Sequence, residues 1–184
     1  MSTETKKLPN PGPLGLLGFG MTTILLNLHN ANLIPLSMMI IAMGIALGGL
    51  AQLIAGIFEL KQGNTFAGTA FVAYGSFWWS LVAIWTLSPK GLEADAVSMG
   101  YYLLVWGIFT FFMFIGTLTH NRTTQIVFGS LTVLFVLLAI GDFTGIASIK
   151  VAAGIVGIFC GGSAFYNAVA QIINGEHNKK IFPL

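Results

Sequence analysis

The sequence predicts an all-α integral membrane protein of six transmembrane helices, and its composition is the first reason. Of its residues, 55% are hydrophobic and only 8% are charged, with a mean hydropathy of +0.85. A soluble domain carries about 25% charged residues, because its surface faces water. So few charges indicate that most of this surface faces lipid, and the lipid bilayer is therefore the first expected partner.

The second and third reasons are six continuous apolar segments and the short polar breaks between them. A hydrocarbon core of about 30 Å needs roughly 20 helical residues to cross it, whereas porin-type strands alternate over about ten residues. The predicted spans are residues 11–29, 35–59, 65–87, 98–119, 124–141 and 147–173. We therefore expect an N-terminal tail over residues 1–10, a transmembrane domain over 11–173 and a C-terminal tail over 174–184.

The distribution of basic residues predicts the orientation. Lysine and arginine are enriched in cytoplasmic loops, and six of the eight fall on one side if the N-terminus is inside. We expect both termini to be cytoplasmic, in a multi-pass protein of the plasma membrane. The net charge of +2 gives no indication of nucleic acid binding. The six inside are Lys6, Lys7, Lys61, Arg122, Lys179 and Lys180, against Lys90 and Lys150 outside.

The spans carry few groups that could perform chemistry. No Asp, Glu, Lys or Arg falls in the middle third of any span, and no cluster of His, Cys and carboxylates has metal-ligand spacing. The single cysteine, Cys160, can form no internal disulfide. We therefore expect neither an enzyme nor a bound cofactor or metal, and a narrow pore or carrier for a small solute remains.

Polar residues inside the spans favour such a path. Phe19, Thr23 and Asn27 follow one another at four-residue spacing along one face of the first helix, while Gln52 and Thr132 lie mid-membrane in the second and fifth. Interhelical hydrogen bonding could explain any one of them. A set of hydroxyls and amides spread over several helices favours a polar or hydrated path, because hydrocarbon offers them no partner.

Two motifs resemble a known family. Residues 10–16 read Asn-Pro-Gly-Pro-Leu-Gly-Leu, similar to the Asn-Pro-Ala-Pro-Leu-Gly-Leu signature of the acetate uptake transporters, also called succinate–acetate permeases. Residues 63–71 and 74–78, which read Gly-Asn-Thr-Phe-Ala-Gly-Thr-Ala-Phe and Tyr-Gly-Ser-Phe-Trp, resemble a second block. The likeness continues through residues 107–118 and 130–141. The visible departure is Gly12, where the signature has alanine.

The resemblance implies a homohexamer in which each subunit has its own pore. It also implies transport of acetate and related small monocarboxylates, with succinate in some members. By motif position, Phe19, Tyr74 and Leu131 would form a hydrophobic constriction, and Ala164 would lie at a position linked to substrate size. The residues alone say less: Phe19 lies on the polar stripe of the first helix, but Leu131 reads as ordinary packing.

The protonation state of a carboxylate at such a constriction stays open. The solute could cross as the neutral acid, giving proton-linked transport, or as a partly hydrated anion touched by donors, giving an anion channel. Glu59 is the candidate coupling acid, and the alternative is an interface residue near Lys61. The start of the first helix could hold an anion, although Asn10 could instead simply cap that helix.

Two other function classes stay open from the residues. One is a channel for neutral small solutes such as urea or short amides, which would also suit a six-helix bundle with few charges. The other is a membrane scaffold or sensor that binds a partner through residues 176–184.

Overall fold

The computed structural model describes residues 8–184, so Lys6, Lys7 and most of the expected N-terminal tail lie outside it. Within that range the chain is helical and contains no strand. The last helix continues four residues beyond the predicted end of its span, and the other ends lie within a few residues of the predicted ones. The long helices are α1 (Gly12–Asn30), α2 (Met38–Lys61), α3 (Thr65–Thr86), α4 (Ala96–Thr119), α5 (Arg122–Thr144) and α6 (Ala147–His177).

Helices α2 to α6 are long and apolar enough to cross a membrane. This confirms the all-helical membrane fold. Helix α1 is less apolar, because its 19 residues include Thr22, Thr23, Asn27 and His29. Its passage through the bilayer stays a prediction.

Side-chain caps begin three of the helices. The side-chain oxygens of Asn64, Asp95 and Asn121 accept hydrogen bonds from backbone N–H groups three residues on, at 3.2, 2.6 and 2.9 Å. Such caps pair donors that a helix start leaves free. The backbone N–H of Ser98 holds the pKa of Asp95 below its usual range. The polar breaks read from the sequence are therefore the places where helices begin.

The middle of α2 departs from α-helical geometry. Residues Gly44–Ala51 are π-helical, and the α-helix resumes at Gln52. The indole N–H of Trp79 on α3 donates to the carbonyl of Ile45 at 3.0 Å. Such segments are rare and often occur at functional sites, and the glycines at Gly48 and Gly49 leave room there for the neighbouring tryptophan rings.

Helix α1 packs closely against α6 and also against α2. The two backbones approach closely at Gly20 and Gly161: a Cβ at Gly161 would lie 2.7 Å from the carbonyl oxygen of Gly20. The pairs α2–α3, α4–α5 and α5–α6 pack side by side. Aromatic and hydroxyl side chains, including the Phe77–Tyr102 stack at 5.7 Å, join α3 to α4. The core formed this way surrounds a line of cavities.

Candidate functional site: a path with an apolar constriction

A vestibule of about 340 Å³ opens at the end of the bundle where α1 begins. Polar side chains surround its mouth, and aromatic and aliphatic side chains form its floor. Leu16, Ala70, Phe71 and Phe128 in the floor also line the next cavity, so the two are neighbours along one path. The polar lining consists of Asn10, Glu59, Asn64, His120, Asn121, Thr124 and Gln171.

Two small cavities follow, which we name the proximal and distal cavities by their distance from the vestibule. The proximal cavity is about 20 Å³ and is lined by Leu16, Gln52, Phe71 and their neighbours. The distal cavity is about 30 Å³ and is lined by residues including Thr23, Asn27 and Trp78. Each is large enough for about one water molecule and too small for acetate, so this conformation of the path is closed.

The residues that line both small cavities are Phe19, Tyr74 and Leu131. They come from α1, α3 and α5 and are all buried, and the ring centroids of Phe19 and Tyr74 are 6.0 Å apart. These three residues, which we call the constriction, therefore separate the proximal cavity from the distal one. They are the same three that the motif positions suggested.

The hydroxyl of Tyr74 is hydrogen-bonded within the protein and is not free to bind a solute. It lies 2.9 Å from the hydroxyl of Thr110 on α4, and Thr110 in turn donates to the backbone carbonyl of Trp106 at 2.7 Å. The Thr110 hydroxyl has one proton, so both hydrogen bonds form together only with Tyr74 as the donor to Thr110. The constriction thus offers a phenol ring, a phenyl ring and a leucine, but no free donor.

Glu59 lies at the vestibule and is only 5% exposed. The amide of Asn64 donates to its carboxylate at 2.7 Å. Lys61 does not pair with it; the lysine ammonium instead lies 5.6 Å from the centre of the Phe58 ring. Glu59 is therefore a carboxylate facing the path, held by one amide.

The side chain of Asn10 hydrogen-bonds to the first residue of α1. Its side-chain oxygen accepts from the N–H of Gly12 at 3.0 Å, and its amide donates to Gln171 at 3.0 Å. A Cβ at Gly12 would lie 3.3 Å from a carboxylate oxygen of Glu59. The capping interpretation of Asn10 thus fits the geometry better than an anion rest site, because acceptor oxygens and a carboxylate already surround this helix end.

The structure brings most of the residues expected on the path together, with two exceptions. Phe19, Thr23, Asn27, Gln52, Tyr74 and Leu131 line the two small cavities, and Asn10 and Glu59 line the vestibule. Thr132 is half-buried and donates to the Phe128 carbonyl of its own helix at 2.9 Å. Ala164 is fully buried in the core. Neither lines the vestibule or the two cavities.

Comparison with known proteins identifies the family. The family model described as GPR1/FUN34/yaaH matches residues 1–183. The chain belongs to the GPR1/FUN34/yaaH family. It is 53% identical over 180 residues to the "Succinate-acetate/proton symporter SatP" of Escherichia coli K12, covering 97% of this chain and 96% of that one.

A solved structure and a more distant relative extend the comparison. The "Structure of the bacterial acetate channel SatP" matches with a TM-score of 0.94 and 53% identity, covering 97% of this chain and 99% of that one. "Ammonia transport outward protein 2" of Saccharomyces cerevisiae is 38% identical over 181 residues, covering 94% of this chain and 64% of that one. These GPR1/FUN34/yaaH proteins are transporters or channels, not enzymes.

Residues of the two family motifs line the vestibule and the constriction. Several residues beside them were not predicted from the sequence. Trp78 lies one helical turn beyond Tyr74, so four-residue spacing along α3 could have indicated it. Thr110 orients Tyr74 from α4, and Phe71 and Phe128 form the vestibule floor. Phe71 ends a family motif, and Thr110 is a hydroxyl inside an apolar span, so each carried a signal. Nothing in the local sequence distinguishes Phe128 from an ordinary core residue.

Proposed function

We propose that this protein carries acetate and related small monocarboxylates across the plasma membrane, and that the solute passes the constriction as the neutral acid. The observation that supports this most directly is the absence of a free donor among Phe19, Tyr74 and Leu131. A carboxylate that loses its hydration shell needs donors to replace it. A neutral carboxylic acid has a much smaller desolvation cost, so an apolar constriction favours it.

Glu59 is our candidate for exchanging a proton with the solute. It is the carboxyl group that lines the vestibule, before the constriction is reached. In this proposal Glu59 exchanges a proton with the solute at the vestibule. Protonated Glu59 gives its proton to the carboxylate of a solute about to enter the constriction, ionised Glu59 takes the proton from an acid that has passed it, and the adjoining solution restores its starting state. Asn64 positions the side chain through its hydrogen bond at 2.7 Å.

The other expected path residues keep their roles as proposals. Thr23, Asn27 and Gln52 supply polar atoms beside the constriction, and Asn10 shapes the vestibule mouth. Thr132 and Ala164 could act only through their neighbours, since they lie outside the cavity linings. A homohexamer stays a proposal from the family resemblance; the proposal that each subunit has its own pore is supported by the two cavities within this chain.

Purified protein in liposomes tests the proposal. We expect labelled acetate uptake to increase when the interior is alkaline, without an acetate-dependent current in a planar bilayer. Since acetic acid also crosses lipid unaided, the measured quantity is the uptake above that of protein-free liposomes. An Ala67→Trp variant provides a matched blocked control, because Ala67 is half-buried at the vestibule and a large ring would fill that space.

The same assay decides how the solute crosses. A current that reverses at the acetate equilibrium potential would show that the anion crosses, and would contradict passage as the neutral acid. We expect Glu59→Gln to slow uptake driven by the pH gradient, because the amide can neither give a proton to the solute nor take one from it. Unchanged uptake in that variant would mean that the solute takes its proton from water.

A second candidate function is passage of neutral ammonia. A constriction without donors suits a small neutral solute as well as a neutral acid, and a relative is named for ammonia transport. Protein-dependent ammonia flux in the same liposomes, with no protein-dependent acetate uptake, would favour this alternative.

A further inference from the structure

Three buried polar side chains beside the constriction lack hydrogen-bond partners. Both side-chain polar atoms of Gln52, the hydroxyl of Thr23 and the indole nitrogen of Trp78 are unpaired among residues 8–184. Gln52 is 0% exposed, and Thr23 and Trp78 are each 2% exposed. Folded proteins pair the great majority of such groups, because leaving one unpaired is costly. Three in one place therefore need an explanation.

The three unpaired side chains lie on the two sides of the constriction. Gln52 lines the proximal cavity, whereas Thr23 and Trp78 line the distal cavity. The constriction lies between them. The unpaired groups thus stand immediately before and immediately after the part of the path that offers no donor.

We propose that Trp78 and Thr23 form a binding station for the carboxyl group on the distal side, the counterpart of Gln52 on the proximal side. This rests on the proposed function. An indole N–H can only donate, and a threonine hydroxyl can donate as well. The station therefore takes a carboxyl oxygen in preference to an amine cation. Acetate reaches it when the side chains around the cavity of about 30 Å³ move apart.

The Trp78 ring is packed against α2 and against its neighbour on α3. The ring lies against the π-helical part of α2, where a Cβ at Gly48 would be 2.8 Å from Trp78 Cγ. It also meets Phe77 edge to face, with ring centroids 5.7 Å apart. A buried tryptophan usually finds a partner for its N–H. The adjacent Trp79, although 44% exposed, donates to the carbonyl of Ile45 at 3.0 Å, whereas the buried Trp78 has no partner among residues 8–184.

The two neighbouring tryptophans give a matched test. In liposomes, Trp78→Phe keeps a ring but removes the donor, and we expect the acetate concentration for half-maximal uptake to rise about tenfold, the effect of losing one hydrogen bond to a charged or polar group. The rate at saturating acetate should change little. Trp79→Phe should keep the wild-type half-saturation concentration while lowering the melting temperature in detergent, because Trp79 donates to Ile45.

Stability gives an independent readout. Since the Trp78 donor has no partner in the protein, its removal should leave the melting temperature unchanged or raised, and acetate should stabilise the Trp78→Phe variant less than the wild type. Wild-type half-saturation in Trp78→Phe would overturn the station. A loss of maximal rate alone would also overturn it, because that result indicates a packing role.

A second variant keeps the proposal testable if the first one does not fold. If Trp78→Phe does not fold, Thr23→Val removes the other donor of the distal cavity at nearly constant shape, and the same rise in half-saturation concentration is expected. The two proposals fail differently: no acetate uptake by the wild type overturns the proposed function, whereas normal uptake with unchanged variants overturns only the station.

Discussion

Leu131 is the residue of the constriction that can be shortened most simply. It is buried and lines both the proximal and the distal cavity. Leu131→Ala should join the two cavities, so that the rates of propionate and butyrate uptake rise relative to that of acetate. Deleting a buried leucine side chain should also lower the free energy of unfolding by about 2–5 kcal/mol. Competition uptake in liposomes measures the ratio of solutes.

Leu134 provides the control for that change. It lies one helical turn along α5, is equally buried and lines only the distal cavity. Leu134→Ala should cost comparable stability without altering the ratio of propionate to acetate uptake. If both variants changed that ratio equally, loosened packing would be the cause, and Leu131 would lose its place in the constriction.

For single residues, the sequence predicted the position on a helix face better than the hydrogen-bonding state of the side chain. The spacing of Phe19, Thr23 and Asn27 on α1 correctly placed them on one buried face, because helical periodicity is a local property. Leu131 needed the family resemblance, since a leucine in an apolar helix carries no distinguishing signal. The unpaired N–H of Trp78 could not be predicted at all, because hydrogen-bond pairing depends on which helices meet.

The contact between α1 and α6 is the element-scale feature that holds the path together. Backbone approaches backbone at Gly20 and Gly161, so any side chain at Gly161 must push the helices apart. We expect Gly161→Ala to lower the free energy of unfolding by about 1–3 kcal/mol and to reduce acetate uptake. Thermal unfolding in detergent and uptake in liposomes measure the two effects.

Gly162 is the matched control, because a Cβ added there would meet nothing within 4 Å. Gly162→Ala should leave stability unchanged or raised, since alanine is the better helix former. Equal losses from both substitutions would mean that helix geometry, not the close approach to α1, limits stability.

Helix limits were predictable because short polar breaks such as residues 61–64 interrupt long apolar runs. The π-helical segment Gly44–Ala51 was not predictable from those patterns. Its glycines give space to rings from another helix: a Cβ at Gly48 would lie 2.8 Å from Trp78 Cγ, and a Cβ at Gly49 would overlap the Trp79 indole.

For the whole molecule, the path needs residues from one chain only. Helices α1, α3 and α5 line the vestibule and both cavities, and α2 lines the vestibule and the proximal cavity. Helix α6 contributes at the mouth, whereas α4 lies behind the path and holds Tyr74. Low charge and six apolar segments were enough to predict the helical membrane fold. They could not predict which helices surround the path, because that depends on their arrangement in space.

The orientation of the whole molecule decides which solution the vestibule faces. At the vestibule end of the described chain lie Lys61, Arg122, Lys179 and Lys180, against Lys90 and Lys150 at the other end. The positive-inside rule therefore predicts a cytoplasmic vestibule. Cys160, the one native thiol, is fully buried, so a single new cysteine can be labelled with a membrane-impermeant maleimide against little background.

In intact cells, Glu93→Cys in the loop between α3 and α4 should label at once, whereas Gln62→Cys beside the vestibule should label only after permeabilisation. Both positions are exposed, so a difference in labelling reports their side of the membrane. The reverse pattern would contradict the predicted orientation and place Glu59 at the external mouth. The proposed proton transfer from Glu59 would then act on the solute as it enters the cell, not as it leaves.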